Sequence, residues 1–264
     1  MSMLQTKGAR TRMTLWREEL IPINEYSRPG TPLRLVRNIV VHYTGNPGAT
    51  AANHVTYFGK SMIDQNIKIM AEANRLPSPQ KEEQLKLVRY ASAHLFVDPG
   101  DAVLIIPLDE MAYHASQANP YSIGIELCIE KDGSFHPETV RRAVAIVAEL
   151  CKRYGLNPLR DVIRHYDVTG KICPKPYVDD PAAWEAFRQA VDRAMRGEED
   201  EDMNELKLTT EGWGALAQSL QKAYDKGLLG DYVYVKKAYS GTLTRSELDV
   251  ANNLIIVNGA VKTK

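Results

Sequence analysis

The residues in this chain best suited to chemistry are His42, His165 and Cys173. His42 follows Ile39, Val40 and Val41, an apolar run that reads as a buried strand ending in a polar turn. His165 and Cys173 lie far downstream, within the segment RHYDVTGKICP at 164–174. Two imidazoles and one thiolate form a ligand set that suits zinc and leaves a fourth position open for water, as in a catalytic rather than a structural site. If the three converge in space, the chain is a zinc hydrolase. Neither part is a zinc signature alone. A single histidine at a strand end is ordinarily a core or surface residue, and seven residues between His165 and Cys173 is not a standard zinc-pair spacing.

Glu126 is the second chemical signal. It lies in the apolar segment Gly124, Ile125, Glu126, Leu127, where a carboxylate is costly unless paired or functional. The alternative role for Glu126 is a salt bridge to a neighbouring basic residue. Lys171, two residues before Cys173, is either a plain loop lysine or a cation that offsets negative charge nearby.

These residues need a scaffold, and residues 1–195 supply a mixed α/β pattern. Strands are expected at 39–43, 93–98, 102–107 and 123–129, with 93–107 forming a hairpin around Pro99, Gly100 and Asp101. Helices are expected at 49–58, from Pro137 to the stop at Gly155, and over 181–195. A short extended segment should deliver His165. The charged stretch 59–92 reads as a solvated helical insert. Gly197 to Glu201 begins a run of like charge, so residues 196–204 read as an acidic linker. Residues 205–264 follow as a small, mainly helical unit. Its first helix carries Trp213, Leu216, Leu220 and Tyr224, and a capping box from Thr244 to Glu247 opens its last. Trp213, Tyr232, Tyr234 and Tyr239 are its candidates for exposed apolar contacts.

Composition narrows the class. The 264 residues include 33 Lys and Arg against 33 Asp and Glu, so no bulk charge draws the chain to nucleic acid or anionic membrane. The longest apolar runs are too short to span a bilayer, and residues 1–12 are basic without the apolar core of a signal peptide. Synthesis in the cytoplasm without a leader, and no membrane insertion, are the expectations. Cys128 and Cys151 read as packed thiols.

Six segments, in order, resemble the zinc-dependent N-acetylmuramoyl-L-alanine amidases of phage endolysins, relatives of the peptidoglycan recognition proteins. They are LIPINEYSRPG (20–30), IVVHYTGNP (39–47), ASAHLFVD (91–98), YHAS (113–116), NPYSIGIEL (119–127) and RHYDVTGKICP (164–174). Any one is weak; six in order are specific. The resemblance implies a mixed central β-sheet flanked by helices, with an open groove at one face. It implies that His42, His165 and Cys173 bind Zn2+ and that Glu126 and Lys171 serve catalysis. It implies peptidoglycan as the partner and, for residues 1–195, the catalytic domain. His94, His114, Tyr43, Thr44 and Asn46 fall in matching segments and are candidates for substrate contact, with His94 and His114 alternatively orienting a ligand or serving structure. His54, within a helix, and His136, at a helix start, look dispensable. Residues 205–264 suit cell-wall binding or homodimerisation. Two rival readings are a non-catalytic peptidoglycan-binding module and a cytoplasmic amidase of recycled muropeptides. The retained Cys173 argues against both, because the former lack the cysteine and the latter typically carry aspartate.

Overall fold

A computed structural model describes residues 14–197, 206 and 208–262. The basic segment 1–12 and residues 198–204 of the expected linker lie outside the described residues. The chain divides into two compact units, the first ending at Gly197.

The first unit is built on a six-stranded sheet. Its strands are β1 (Arg17–Glu18), β2 (Asn38–Tyr43), β3 (Leu95–Val97), β4 (Ala102–Leu104), β5 (Ser122–Leu127) and β6 (Val162–Arg164), in the order β1-β4-β3-β5-β2-β6. Only β3 and β4 pair antiparallel, as the expected hairpin; the other pairs are parallel. β2 lies between β5 and β6, and Ile39, Val40 and Val41 are fully buried there. Strands covered on both faces read as continuous apolar runs, which explains IVV before His42.

Register sets what shares a face. Val103, Phe96, Glu126 and His42 are successive partners across β4, β3, β5 and β2, so their side chains project from one face. Helix α1 (Ala51–Thr56) covers the start of that row: Ala51 and Val55 pack with Phe96 and Val103. The helix does not stop at Phe58 as expected. A π-helical turn, Tyr57–Ser61, carries it across Gly59 into α2 (Met62–Ala73). Nor is the insert wholly solvated. Met62, Asn66 and Ala73 are buried, and the Asn66 side chain bonds both the N–H (3.0 Å) and the carbonyl (2.8 Å) of Arg89. Its second helix, α3 (Gln80–Leu85), buries nothing.

Helix α4 (Pro137–Tyr154) backs β2, β3 and β5. His136 caps it, its Nδ1 accepting from the Glu138 N–H at 3.1 Å, and Gly155 ends it at φ +66°, a left-handed conformation glycine adopts freely. Short α5 (Pro158–Asp161) leads into β6, and α6 (His165–Thr169) follows it at once. After α7 (Lys175–Asp179), α8 (Pro181–Arg196) packs on α4 and buries Trp184, Phe187 and Val191.

The second unit contains α9 (Thr210–Asp225), α10 (Val233–Tyr239) and α11 (Arg245–Lys262). Ala217, Leu220, Leu229, Val235, Leu243 and Ala251 belong to its own core. The capping box forms: Glu247 N–H donates to Thr244 Oγ1 at 3.3 Å, and Thr244 N–H to Glu247 Oε2 at 3.1 Å. Trp213, Tyr232 and Tyr234 pack against this core rather than standing free; of the four expected exposed aromatics only Tyr239 is exposed. Among the described residues no helix is long and apolar enough to cross a membrane.

Candidate active site

His42, His165 and Cys173 converge. One ligand atom from each lies within 4.8 Å of the others, and all three residues are buried. Three local features deliver them. β2 carries His42 on the row described above. β6 ends at Arg164, where Asp167 accepts from the Arg164 N–H (2.8 Å) and guanidinium (2.7 Å); this caps α6 and places His165 at its first position. Gly170, at φ +76°, then turns the chain so that Cys173 returns beside His165, its carbonyl accepting from the Tyr166 N–H at 2.8 Å.

The donor set fits a metal on the observations themselves. Cys173 Sγ is 3.7 Å from His42 Nδ1. Ordinary zinc–sulfur and zinc–nitrogen lengths at a tetrahedral angle put two such donors about 3.6 Å apart. His165 Nδ1 is buried without a hydrogen-bond partner among the described residues, a cost of the kind a metal removes. Burial, and then the Lys171 charge, lowers His165 to a pKa of about 4. Burial also takes His42 well below its usual value, reinforced by His114, His165, Lys171 and His94. Both imidazoles are therefore neutral, with lone pairs available as ligands require. Burial raises the Cys173 thiol to about 12, so a thiolate there needs a cation.

Glu126 stands beside His42 in register. Its Oε2 is buried with no hydrogen-bond partner, and no salt bridge to it forms among the described residues. Burial raises its pKa to about 8, with Lys171 pulling the other way. Lys171 is exposed on the loop after α6, yet its charge acts on His42, His165, Cys173 and Glu126 alike. The arrangement is an N2S donor set with an uncompensated carboxyl beside it and an ammonium whose charge reaches all four groups.

The remaining candidates separate. Thr44 and Asn46 line a cleft of about 540 Å3 together with Asn53, His54, Tyr57 and Phe58. Tyr43 is half-buried at the strand end and is not part of that lining. His94 and His114 do not offer substrate a polar atom. His94 is fully buried; its Nδ1 accepts from the Gly124 N–H (3.0 Å) and its Nε2 donates to the Glu110 carbonyl (2.9 Å). His114 is buried, with Nδ1 3.1 Å from His42 Nε2 and Nε2 3.2 Å from Ser122 Oγ. Of the roles expected for the two, these bonds favour orienting a ligand or serving structure over substrate contact. His54 was missed. It stacks on Phe96 (centroids 5.0 Å apart, 15° between planes), lines the cleft, and has a buried, unpartnered Nε2. The signal was in the sequence: Ala51, His54, Val55 and Phe58 recur at the spacing of one helix face.

Comparison with known proteins agrees with this geometry. Residues 31–176 match the family described as N-acetylmuramoyl-L-alanine amidase. The chain is 38% identical over 218 residues to N-acetylmuramoyl-L-alanine amidase BlyA of Bacillus subtilis (strain 168), covering 75% of this chain and 52% of that protein. It is 42% identical over 190 residues to the amidase CwlL of Bacillus licheniformis, covering 67% and 47%. The chain thus spans about half the length of these curated relatives. Among solved structures, a mutant endolysin from Bacillus subtilis matches with a TM-score of 0.50 at 26% identity, over 66% of this chain and 96% of that one. The PlyG catalytic domain matches with a TM-score of 0.50 at 26% identity, over 68% and 94%. The mixed sheet with flanking helices is the architecture of these catalytic domains.

Proposed function

The chain belongs to the N-acetylmuramoyl-L-alanine amidase family, and on that premise we propose that it hydrolyses the amide between the lactyl group of N-acetylmuramic acid and L-alanine in peptidoglycan, as a phage-type endolysin. The observation that carries this reading is the convergence of His42, His165 and Cys173 beside the unpartnered carboxyl of Glu126. His42, His165 and Cys173 would hold zinc, which would supply a Lewis acid for the scissile carbonyl and lower the pKa of a bound water to about 7. Glu126 takes a proton as the water oxygen attacks the carbonyl carbon. The value of about 8 belongs to the metal-free protein; a dication beside the carboxyl would draw it down, leaving a carboxylate that can accept the proton and then release it. Glu126 next gives the proton to the departing nitrogen, so the C–N bond breaks to a lactyl carboxylate and the free amine of alanine. The Lys171 ammonium stabilises negative charge developing on the carbonyl oxygen. Thr44, two residues after His42, lines a cleft with Asn46 and His54, and this cleft would take part of the substrate.

Residues 1–195 act as the catalytic domain in this reading and 196–204 as the linker. Residues 205–264, a unit with its own core, direct the enzyme to the wall. Action on the cell wall follows from the substrate.

The test is the appearance of free N-terminal alanine on purified peptidoglycan. Chelator-sensitive release, abolished by Cys173→Ser, is the expected result. A folded, zinc-loaded protein that releases none is a binding module, or acts on another amide. Release from soluble muropeptides but not intact sacculi identifies a recycling enzyme.

A further inference from the structure

A chain of buried hydrogen bonds runs from the 3-10 turn Ser116–Tyr121 to His42. The Ser122 hydroxyl donates its one proton to the Ala118 carbonyl at 2.6 Å. Its oxygen, and the Ser122 carbonyl, can then only accept from His114 Nε2, at 3.2 and 3.4 Å. That nitrogen must carry the proton. With the ring's one proton on Nε2, Nδ1 of the neutral imidazole has a lone pair and can only accept. The partner of Nδ1 at 3.1 Å is His42 Nε2, which must therefore be the protonated nitrogen of that ring. The lone pair of His42 is left on Nδ1, the atom that faces Cys173 Sγ.

We propose that His114 is a positioning residue that fixes the tautomer and orientation of His42, with Ser122 setting the direction of the relay and Gly124 providing its seat. Gly124 is the independent witness. It sits opposite Val40 in the sheet, and a Cβ built on it would lie 2.6 Å from His114 Cγ and 2.7 Å from Nδ1. Any side chain there displaces the ring from its place beside His42, so the strand's one glycine is where the imidazole sits against the backbone. His94 packs edge-on against the ring, with centroids 5.7 Å apart and its own nitrogens committed to Glu110 and Gly124. It takes no part in the relay. A ligating histidine whose other nitrogen donates to a fixed acceptor is held in orientation and gains basicity, and loss of that acceptor commonly weakens metal binding about 10- to 100-fold.

The inference rests on the reading of His42 as a metal ligand, and its test has two arms. In the metal-free wild-type protein, nitrogen-15 NMR of the histidine rings should show His42 protonated at Nε2 and bare at Nδ1. The opposite tautomer overturns the relay whether or not the protein binds metal. Zinc affinity, measured by competition with a chelating dye, should fall about 10- to 100-fold in His114→Leu and in Gly124→Ala. His114→Asn should stay close to wild type, because its Oδ1 can accept in place of Nδ1. A purely packing role predicts the reverse ranking, with the apolar Leu tolerated better than the smaller Asn. Equal affinity in His114→Leu and wild type removes the relay while leaving the metal site standing. Failure of the wild type to bind zinc removes the metal reading itself.

Discussion

Replacing Glu126 by glutamine should make the metal-free protein more stable and the enzyme nearly inactive. The carboxyl has a buried, unpartnered Oε2, and burial lifts its pKa from 4.5 to about 8 against the pull of Lys171. Unfolding restores the ordinary value. Between pH 4.5 and 8 the folded chain therefore holds a proton that the unfolded chain has lost, and stability falls as pH rises through that window. The penalty is absent below the lower value and complete above the higher. A displacement from 4.5 to about 8 corresponds to about 5 kcal/mol. In a unit of this size that is about 10–20 °C in Tm. It is a ceiling, because Glu126 is only half-buried and water reaching its carboxylate relieves part of the cost. Glutamine keeps the shape without the charge. The assay is thermal unfolding of chelator-treated wild type and Glu126→Gln from pH 4.5 to 9, read as the difference between the two proteins. The buried histidines are common to both and cancel. The curves should coincide at pH 4.5 and separate as pH rises, with the variant higher by more than about 1 kcal/mol at pH 9. Hydrolysis should meanwhile fall about 10²- to 10⁴-fold, the usual worth of a general base. Coincident curves at every pH, or a wild type more stable at pH 9, refute the reasoning. The second outcome is the behaviour of a salt-bridged structural carboxylate.

Lys171→Met should lower kcat about 10²- to 10³-fold, as loss of one oxyanion-stabilising group does, with zinc content unchanged and Lys171→Arg partly restoring the rate. Loss of bound zinc in Lys171→Met would move the lysine from catalysis to metal retention. Zinc at a hundredfold excess over its Kd should stabilise the chelator-treated protein by about 2.7 kcal/mol, about 5–10 °C in Tm, and Cys173→Ser should lose most of that shift. Removal of residues 198–264 should leave cooperative unfolding and zinc binding intact, because the first unit holds the sheet, α4, α8 and all three donors. A truncated chain without its metal refutes the two-domain reading.

The sheet was legible where burial is two-sided and opaque where it is not. IVV at 39–41 and the alternation of Ile123, Ile125 and Leu127 announce strands because both periods are forced by what covers them. β1 is two exposed residues, Arg17 and Glu18, paired in parallel to β4, and no local pattern marks it. The stop expected at Phe58 failed for a related reason. Gly59 looks like a helix breaker, but a π-helical turn absorbs it and the helix continues to Ala73. Residue types also could not say that Asn66 reaches Arg89 across 23 residues to fasten the end of the insert.

The site was legible in its donors and not in their support, and the difference is physical. Imidazole, thiolate and carboxylate declare their chemistry by type, so an apolar strand that ends in histidine or contains glutamate is visible before folding. His54 and His114 carry the same imidazole, but its use depends on where each lone pair points. That direction is set by groups distant in sequence: Phe96 under His54, and Ser122, Gly124 and His42 around His114. Gly124 shows the limit most clearly. In sequence it reads as a weak point in a strand. In the fold its missing Cβ is the space in which His114 lies, and a methyl group there would act on the metal site through two imidazoles without touching a ligand. A sequence can thus name the atoms that bind and react, while the tautomer that makes one nitrogen a ligand rather than a donor is a property of packing.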